Sequence, residues 1–311
     1  QTDLDLGVHH VRTRDEVSRL GYEGRRTETS LVVQARKEFG RRLNLNLLVR
    51  EDRVDGVFQP LLPFLGFDLR ILRDHPLVLK GNVARNHHVP DLNDLHWQPG
   101  GNPDLRAERG VSAELGLEWP LSLSWGDLHV EWTGFRSEVQ DWILWVPSFQ
   151  GYWEPRNVEK VAVRGLEGSL GLAATRGAWT GQANANYAYT RALNLGDPEI
   201  WGEASHGKQL VYTPVHSANL LLRIGRGPWW LSYQYNSYSE RFTTSSNDLT
   251  GRNRLYPYFM NDLGTGWSFR LGETTLQLEG RIFNLFNERY ESVLFRPMPG
   301  RNAQLTLRLV R

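Results

Sequence analysis

The sequence predicts an all-β chain, an antiparallel transmembrane β-barrel with short periplasmic turns and long extracellular loops. Three observations predict it. Apolar and polar side chains alternate with a period of two on nearly every segment, connections alternate between short and long, and no apolar run approaches the roughly 18 residues of a membrane helix. A strand sends successive side chains to opposite faces, so each such segment has one greasy and one wet face.

In chain order, Leu43, Leu45, Leu47 and Val49 oppose Asn44, Asn46 and Arg50. Val111, Ala113, Leu115, Leu117 and Trp119 oppose Ser112, Glu114 and Glu118, and Leu128, Val130 and Trp132 oppose His129, Glu131 and Thr133. Leu276, Leu278, Gly280 and Ile282 oppose Gln277, Glu279 and Arg281, and Leu305, Leu307 and Leu309 oppose Gln304, Thr306 and Arg308. The polar set is long and charged on strand after strand, which suits a hydrated lumen with outer-membrane lipid outside. About 14 strand candidates can be counted this way.

Short turns are expected at 39–42, 73–75, 176–178, 225–227 and 271–273, with a somewhat longer one at 120–126. Gly, Pro and charged residues dominate them, as tight hairpins require. Long polar loops are expected at 13–27, 52–63, 86–109, 140–157, 191–208, 241–254 and 286–302. Short turns on one rim and long loops on the other distinguish a membrane barrel from a sandwich, which mixes loop lengths at both ends. No helix-length periodic segment, internal repeat or domain linker interrupts this rhythm.

Composition narrows the function. A net charge of +1 argues against a nucleic-acid partner, and zero cysteines removes disulfides, thiolate chemistry and cysteine metal sites together. Mean hydropathy is −0.48, to which barrels are nearly blind because half of every strand is polar. Twelve Trp, eleven Tyr and twelve Phe supply interfacial girdles or core aromatics. The chain starts at Gln1 with no apolar signal segment, so it is expected to begin after processing or to be a piece of something longer.

There is no phosphate-binding loop, dinucleotide fingerprint or H-E-x-x-H, and Glu167 occupies the place where a nucleophile elbow around Ser169 needs glycine. Neighbouring histidines on a strand face opposite ways, so neither His9–His10 nor His87–His88 chelates a metal readily. No catalytic residue, metal or cofactor is assigned. Ligand contact is instead expected from the third and fourth long loops, where His87, His88, Trp97, Trp142, Trp145, Phe149, Tyr152 and Trp153 concentrate. Trp142 and Trp145 have an alternative reading as girdle residues at the membrane surface.

Three stretches resemble TonB-dependent outer-membrane receptors. In 81–108, Arg85, Pro90, Leu92, Leu95, Trp97, Gly101, Asn102, Pro103, Leu105 and Glu108 fit R-x-x-x-x-P, L-x-x-L-x-[YW] and G-N-P-x-L-x-x-E in order. NVEKVAVRGLE at 157–167 is similar to the family's N-x-x-x-x-x-x-x-G-x-E strand start, and NLFNERYE at 284–291 with PMPGRNAQLTLRL at 297–309 is similar to its termination. The resemblance implies a 22-stranded bacterial outer-membrane barrel around an N-terminal plug, with residues 1–311 forming its C-terminal part. The small cobalamin and siderophore receptors are the nearest in loop character.

The same resemblance implies energy-coupled uptake of a scarce nutrient. An N-terminal plug and barrel part, in the same or a separate chain, would contact the TonB-ExbB-ExbD machinery. Two alternatives stay open: a self-closed passive diffusion channel, and a surface receptor component without energised transport, for which a surface lipoprotein is a possible partner. The ending Leu309-Val310-Arg311 departs from the aromatic terminus usual in such barrels.

Overall fold

A computed structural model describes residues 2–17, 22–148, 150–196, 203–250 and 253–310, leaving Phe149 outside. In order they form β1 (Thr2–Val17), β2 (Tyr22–Phe39), β3 (Leu43–Val54), β4 (Val57–Phe58), β5 (Leu62–Arg70), β6 (Val78–His88) and helix α1 (Leu92–His96). Then come β7 (Glu108–Leu123), β8 (Gly126–Pro147), β9 (Trp153–Arg176), β10 (Trp179–Asn194), β11 (His216–Arg226) and β12 (Trp229–Tyr238). The chain closes with β13 (Arg241–Phe242), β14 (Arg254–Leu255), β15 (Tyr258–Leu271), β16 (Thr274–Phe283), β17 (Glu291–Val293), β18 (Arg296–Pro297) and β19 (Asn302–Val310).

One 15-stranded sheet runs β1-β2-β3-β5-β6-β7-β8-β9-β10-β11-β12-β15-β16-β19, with β4 attached to β3, and β1 and β19 form its two ends. Neighbours along this path are antiparallel, as simple hairpin connections dictate. Two small ladders, β13 with β14 and β17 with β18, stand off the sheet at the long-loop rim.

The register confirms the alternation of faces. Ile282, Leu263, Tyr233, Leu222, Ala183, Leu172, Leu128 and Leu121 are successive cross-strand partners from β16 to β7. They make one apolar row across eight strands. Near the short turns the same face carries Trp267, Trp229 and Trp179, with the Arg226 guanidinium 5.1 Å from the Trp179 ring centre. This is an aromatic girdle. Its leucines stand open, with Leu4 at 75% and Leu305 at 76% exposure. So much contiguous apolar surface suits lipid and not water.

The other face is a polar network. Asn82 donates to Glu114 at 3.0 Å, Asn186 to Asn219 at 2.9 Å, and Lys80 and Arg281 pair with Glu118 and Glu279. On the apolar face, by contrast, the Trp132 ring lies over its cross-strand partner Gly168 and fills the space a side chain there would take.

Several boundaries differ from the sequence reading. Pairing of β1 with β2 runs to Val17 and Tyr22, so most of the expected 13–27 loop is strand. The 140–157 loop is likewise a hairpin, paired from Gln140 and Lys160 out to Pro147 and Trp153. Trp142, Trp145 and Trp153 therefore lie on strands and not in a loop. Charged residues in the first tip and the unbroken apolar run 142–147 in the second masked the alternation, while continued ladder pairing satisfies the backbone. Pro120 sits inside β7, whose turn to β8 is only Ser124 and Trp125, whereas β5 and β6 are joined by the longer segment 71–77. The 22 residues of β8 and 24 of β9 are about twice what crosses a bilayer, so their distal halves stand clear of it.

Candidate functional site

The distal β8–β9 hairpin meets the β6–β7 connection, and α1 is the hub. Leu92 and Leu95 bracket its single turn, and the Asp91-x-x-Asp94 spacing gives it a capping box. The buried Asp94 carboxylate accepts the Asp91 backbone N–H at 3.0 Å and the Trp145 indole N–H at 2.8 Å. That indole bond ties the hairpin to the helix. Behind it, Arg26 of β2 donates to the Pro90 carbonyl and Leu92 packs against Gly24.

Two asparagines complete the clamp. The Asn157 side chain accepts from Arg106 N–H at 2.9 Å and donates to the carbonyls of Arg106 and Asp141 at 3.0 and 2.5 Å. Asn102 donates to the Pro155 carbonyl at 3.2 Å, and its own N–H bonds the Asp94 carbonyl at 2.8 Å. Arg106 also donates from Nε to Asp141 at 2.8 Å. Glu108, above the membrane-crossing part of β7, accepts the Ile143 N–H at 2.8 Å. Burial raises its carboxyl above the usual range, against the lowering effect of that bond.

The sequence-predicted residues fall into two groups. His88, Trp97, Trp145, Tyr152 and Trp153 gather around α1 and the turn after it. Trp97 ends the helix, bonding Asn93 O through its N–H and Gly101 N–H through its carbonyl. Gly100, at φ +118°, lies against the Trp153 carbonyl and the Tyr152 ring, leaving no room for a side chain. Trp153 itself is 59% exposed and offers a flat aromatic surface. His87 and Trp142 stand apart. The His87 ring is buried with Nε2 3.6 Å from Asp52 Oδ2, and Trp142 is the register partner of Val158 on the hairpin ladder.

Side-chain donor atoms of His88, Asp91 and Asp94 lie within 4.8 Å of one another, close enough for a cation. Both Asp94 oxygens already accept hydrogen bonds, so the trio is first a helix-capping arrangement. A second rim cluster joins the β12–β15 and β16–β19 connections. Buried Arg241 donates to the carbonyls of Tyr256 at 3.4 Å and Glu291 at 3.1 Å, and lies 4.8 Å from the Tyr258 ring centre. The Tyr258 ring in turn meets those of Tyr238 and Tyr290 in tilted contacts, with ring centres 5.1 and 4.7 Å apart. Burial raises the Tyr290 phenol above its usual range. A cavity of about 650 Å³ opens beside it, with Arg254, Arg289 and Met298 in its lining.

The family described as TonB dependent receptor-like, beta-barrel matches residues 8–285. The chain belongs to this family. It is 26% identical over 227 residues to the vitamin B12 transporter BtuB of Photobacterium profundum, covering 69% of this chain and 32% of that protein. It is also 26% identical over 255 residues to the ferric enterobactin receptor of Pseudomonas aeruginosa, covering 68% and 31%. Among solved structures, an enterobactin complex of the Q482A mutant of that Pseudomonas receptor superposes with a TM-score of 0.74 at 22% identity. The match covers 99% of this chain and 51% of that one. The chain thus spans about a third of the length of these curated relatives and about half of that solved chain. Relatives in this family are transporters and receptors, not enzymes, and its barrels reside in the outer membrane of Gram-negative bacteria.

Sequence reasoning missed the residues that build the site. Asp94 was legible as the acidic end of a capping box, and Asn102 and Asn157 were noted only as motif letters, without their clamping role. In the terminal motif, buried Asn284 has φ +51°, donates to the Glu288 carbonyl at 2.9 Å and accepts the Glu288 N–H at 2.7 Å, closing a tight turn. An asparagine tolerates that backbone region and supplies both bonds.

Proposed function

We propose that residues 1–311 form the C-terminal part of the barrel of an energy-coupled receptor that imports a scarce nutrient of the cobalamin or ferric-siderophore kind. The observation that carries this reading is a polar inner wall overhung, at the long-loop rim, by a clamped cluster that displays aromatic side chains. Trp97, Tyr152 and Trp153 with His88 are the proposed ligand-contacting set, and Trp145 holds the cluster in place. His87 and Trp142 belong to the proposal only as flanking residues.

The open ends of the sheet at β1 and β19 support a larger barrel. Unpaired backbone groups in hydrocarbon cost several kcal/mol each, so further strands must pair there. An N-terminal part carrying a plug and the remaining strands of a 22-stranded barrel meets that need, whether in this polypeptide or a separate one. That part would engage TonB-ExbB-ExbD. Uptake of labelled cobalamin and of ferric siderophores by cells carrying the whole receptor, with and without a protonophore, tests the reading. Uptake of one class, abolished by the protonophore, is expected. Steady conductance in planar bilayers with uptake insensitive to the protonophore would replace it with a passive channel.

A further inference from the structure

The outward face changes character at the long-loop rim on five consecutive strands. On β6, β7, β8, β9 and β10, the apolar series is followed toward that rim by Arg85, Arg109, Arg136, Arg164 and Arg191. All five are exposed. Strands β11, β12 and β15 carry His216, Ser237 and Phe259 at their corresponding ends, so the band is local to one part of the wall.

The register makes this arrangement unfavourable on its own. Arg136 is the cross-strand partner of Arg164, and Arg164 is the partner of Arg191. Like charges placed directly opposite repel at close range. Glu138 is shared between Arg136 and Lys160, the latter at 2.8 Å. Arg85, Arg109, Arg164 and Arg191 have no ion-pair partner among the described residues. Beside the row lies a groove of about 550 Å³ lined by Arg85, Arg109 and Arg136, by Glu138 and Gln140, and between them by Val111 and Ala113; the Glu138 charge is already taken up by Arg136 and Lys160. A cationic lining with apolar side chains between is complementary to a phosphorylated headgroup carried on acyl chains. Arginine suits that role because its planar fork engages phosphate oxygens in pairs.

We propose that this arginine band binds the phosphate groups of a glycolipid in the outer leaflet. The proposal rests on the membrane-barrel reading, because the band continues the lipid-facing surface. The occupant is a lipid and not a free anion, since the same groove offers apolar and cationic side chains together.

The test uses the receptor extracted in detergent from its own outer membrane, delipidated, and mixed with diphosphoryl lipid A or its dephosphorylated form. Native mass spectrometry reads the lipid retained. The wild type should prefer the diphosphorylated lipid by at least about tenfold. R136Q/R164Q/R191Q should lose that preference, while R223Q/R281Q, on the polar face, should keep it. Equal retention of the two lipids by the wild type would overturn the proposal, and that comparison suffices even if the triple variant does not fold. An unchanged preference in a folded triple variant, or complete displacement of the lipid by millimolar inorganic phosphate, would also overturn it. Flotation with phosphatidylcholine vesicles separates the two readings. Failure to float would sink the membrane-barrel reading, whereas flotation without phosphate preference would sink the arginine band alone.

Discussion

The two rim clusters are held above the same wall by opposite chemistry. Around α1 the hub is an acceptor, the Asp94 carboxylate, and amide side chains of Asn102 and Asn157 fasten neighbouring backbone. Between the last two long connections the hub is a donor, the Arg241 guanidinium, which reaches two backbone carbonyls and lies over a tyrosine ring. In each case a charged group sits where irregular backbone leaves groups of the opposite polarity unpaired. A turn of helix exposes N–H groups and attracts a carboxylate, whereas open connections expose carbonyls and attract a guanidinium. Each hub should therefore fail locally, without loosening the other.

That comparison presupposes one wall with a single lipid face, and the largest expected effect tests it. Leu278→Arg on the apolar face should destabilise the inserted barrel by about 2–4 kcal/mol if the residue lies near the midplane, while Gln277→Arg on the polar face should change little. Heat-resistant mobility and urea unfolding in lipid vesicles measure both. Equal damage from the two would break the face assignment under either cluster. Next in size, Arg241→Met should strip the second cluster of its hub and leave two carbonyls without a donor. The loss is about 2–3 kcal/mol of local protection. Hydrogen exchange should rise in 241–255 and 284–301 and stay unchanged in 91–108; a rise in both segments would show that the clusters are one unit.

How much of this was legible in the sequence follows from range. The wall was legible because its rule is local: a period of two along each strand gives both faces, and Leu305, Leu307 and Leu309 need no knowledge of β16 to be assigned together. The rim was not, because its partners are far apart in the chain. Trp145 is 51 residues from Asp94, and Arg241 is 50 from Glu291. Composition placed the aromatics of the α1 cluster in the right region but could not say that Trp145 serves the scaffold while Trp153 stays open. The strand extension of β8 and β9 escaped for a related reason. Once a hairpin rises past the bilayer, neither face needs to be apolar, so the alternation that reveals strands fades while backbone pairing persists.

Two smaller perturbations sharpen the difference between scaffold and display within the first cluster. Trp145→Phe keeps an aromatic ring, smaller than the indole, and removes the N–H that Asp94 accepts. It should cost about 1.5 kcal/mol, the lower end for a hydrogen bond to a charged group, because the site is only partly buried. Exchange protection in 91–108 should fall accordingly, with the 241–255 segment as the internal control. Trp153→Ala should do the reverse. At 59% exposure, its truncation should change stability by no more than about 0.5 kcal/mol. If Trp153 displays a surface for the incoming nutrient, affinity for that nutrient should weaken while exchange across the cluster stays at the wild-type rate. Titration of the whole receptor with cobalamin and ferric siderophores, run beside the exchange measurement, decides it. Unchanged affinity would leave Trp97 and Tyr152 as the aromatic contacts and reduce Trp153 to a solvent-facing edge of the hairpin.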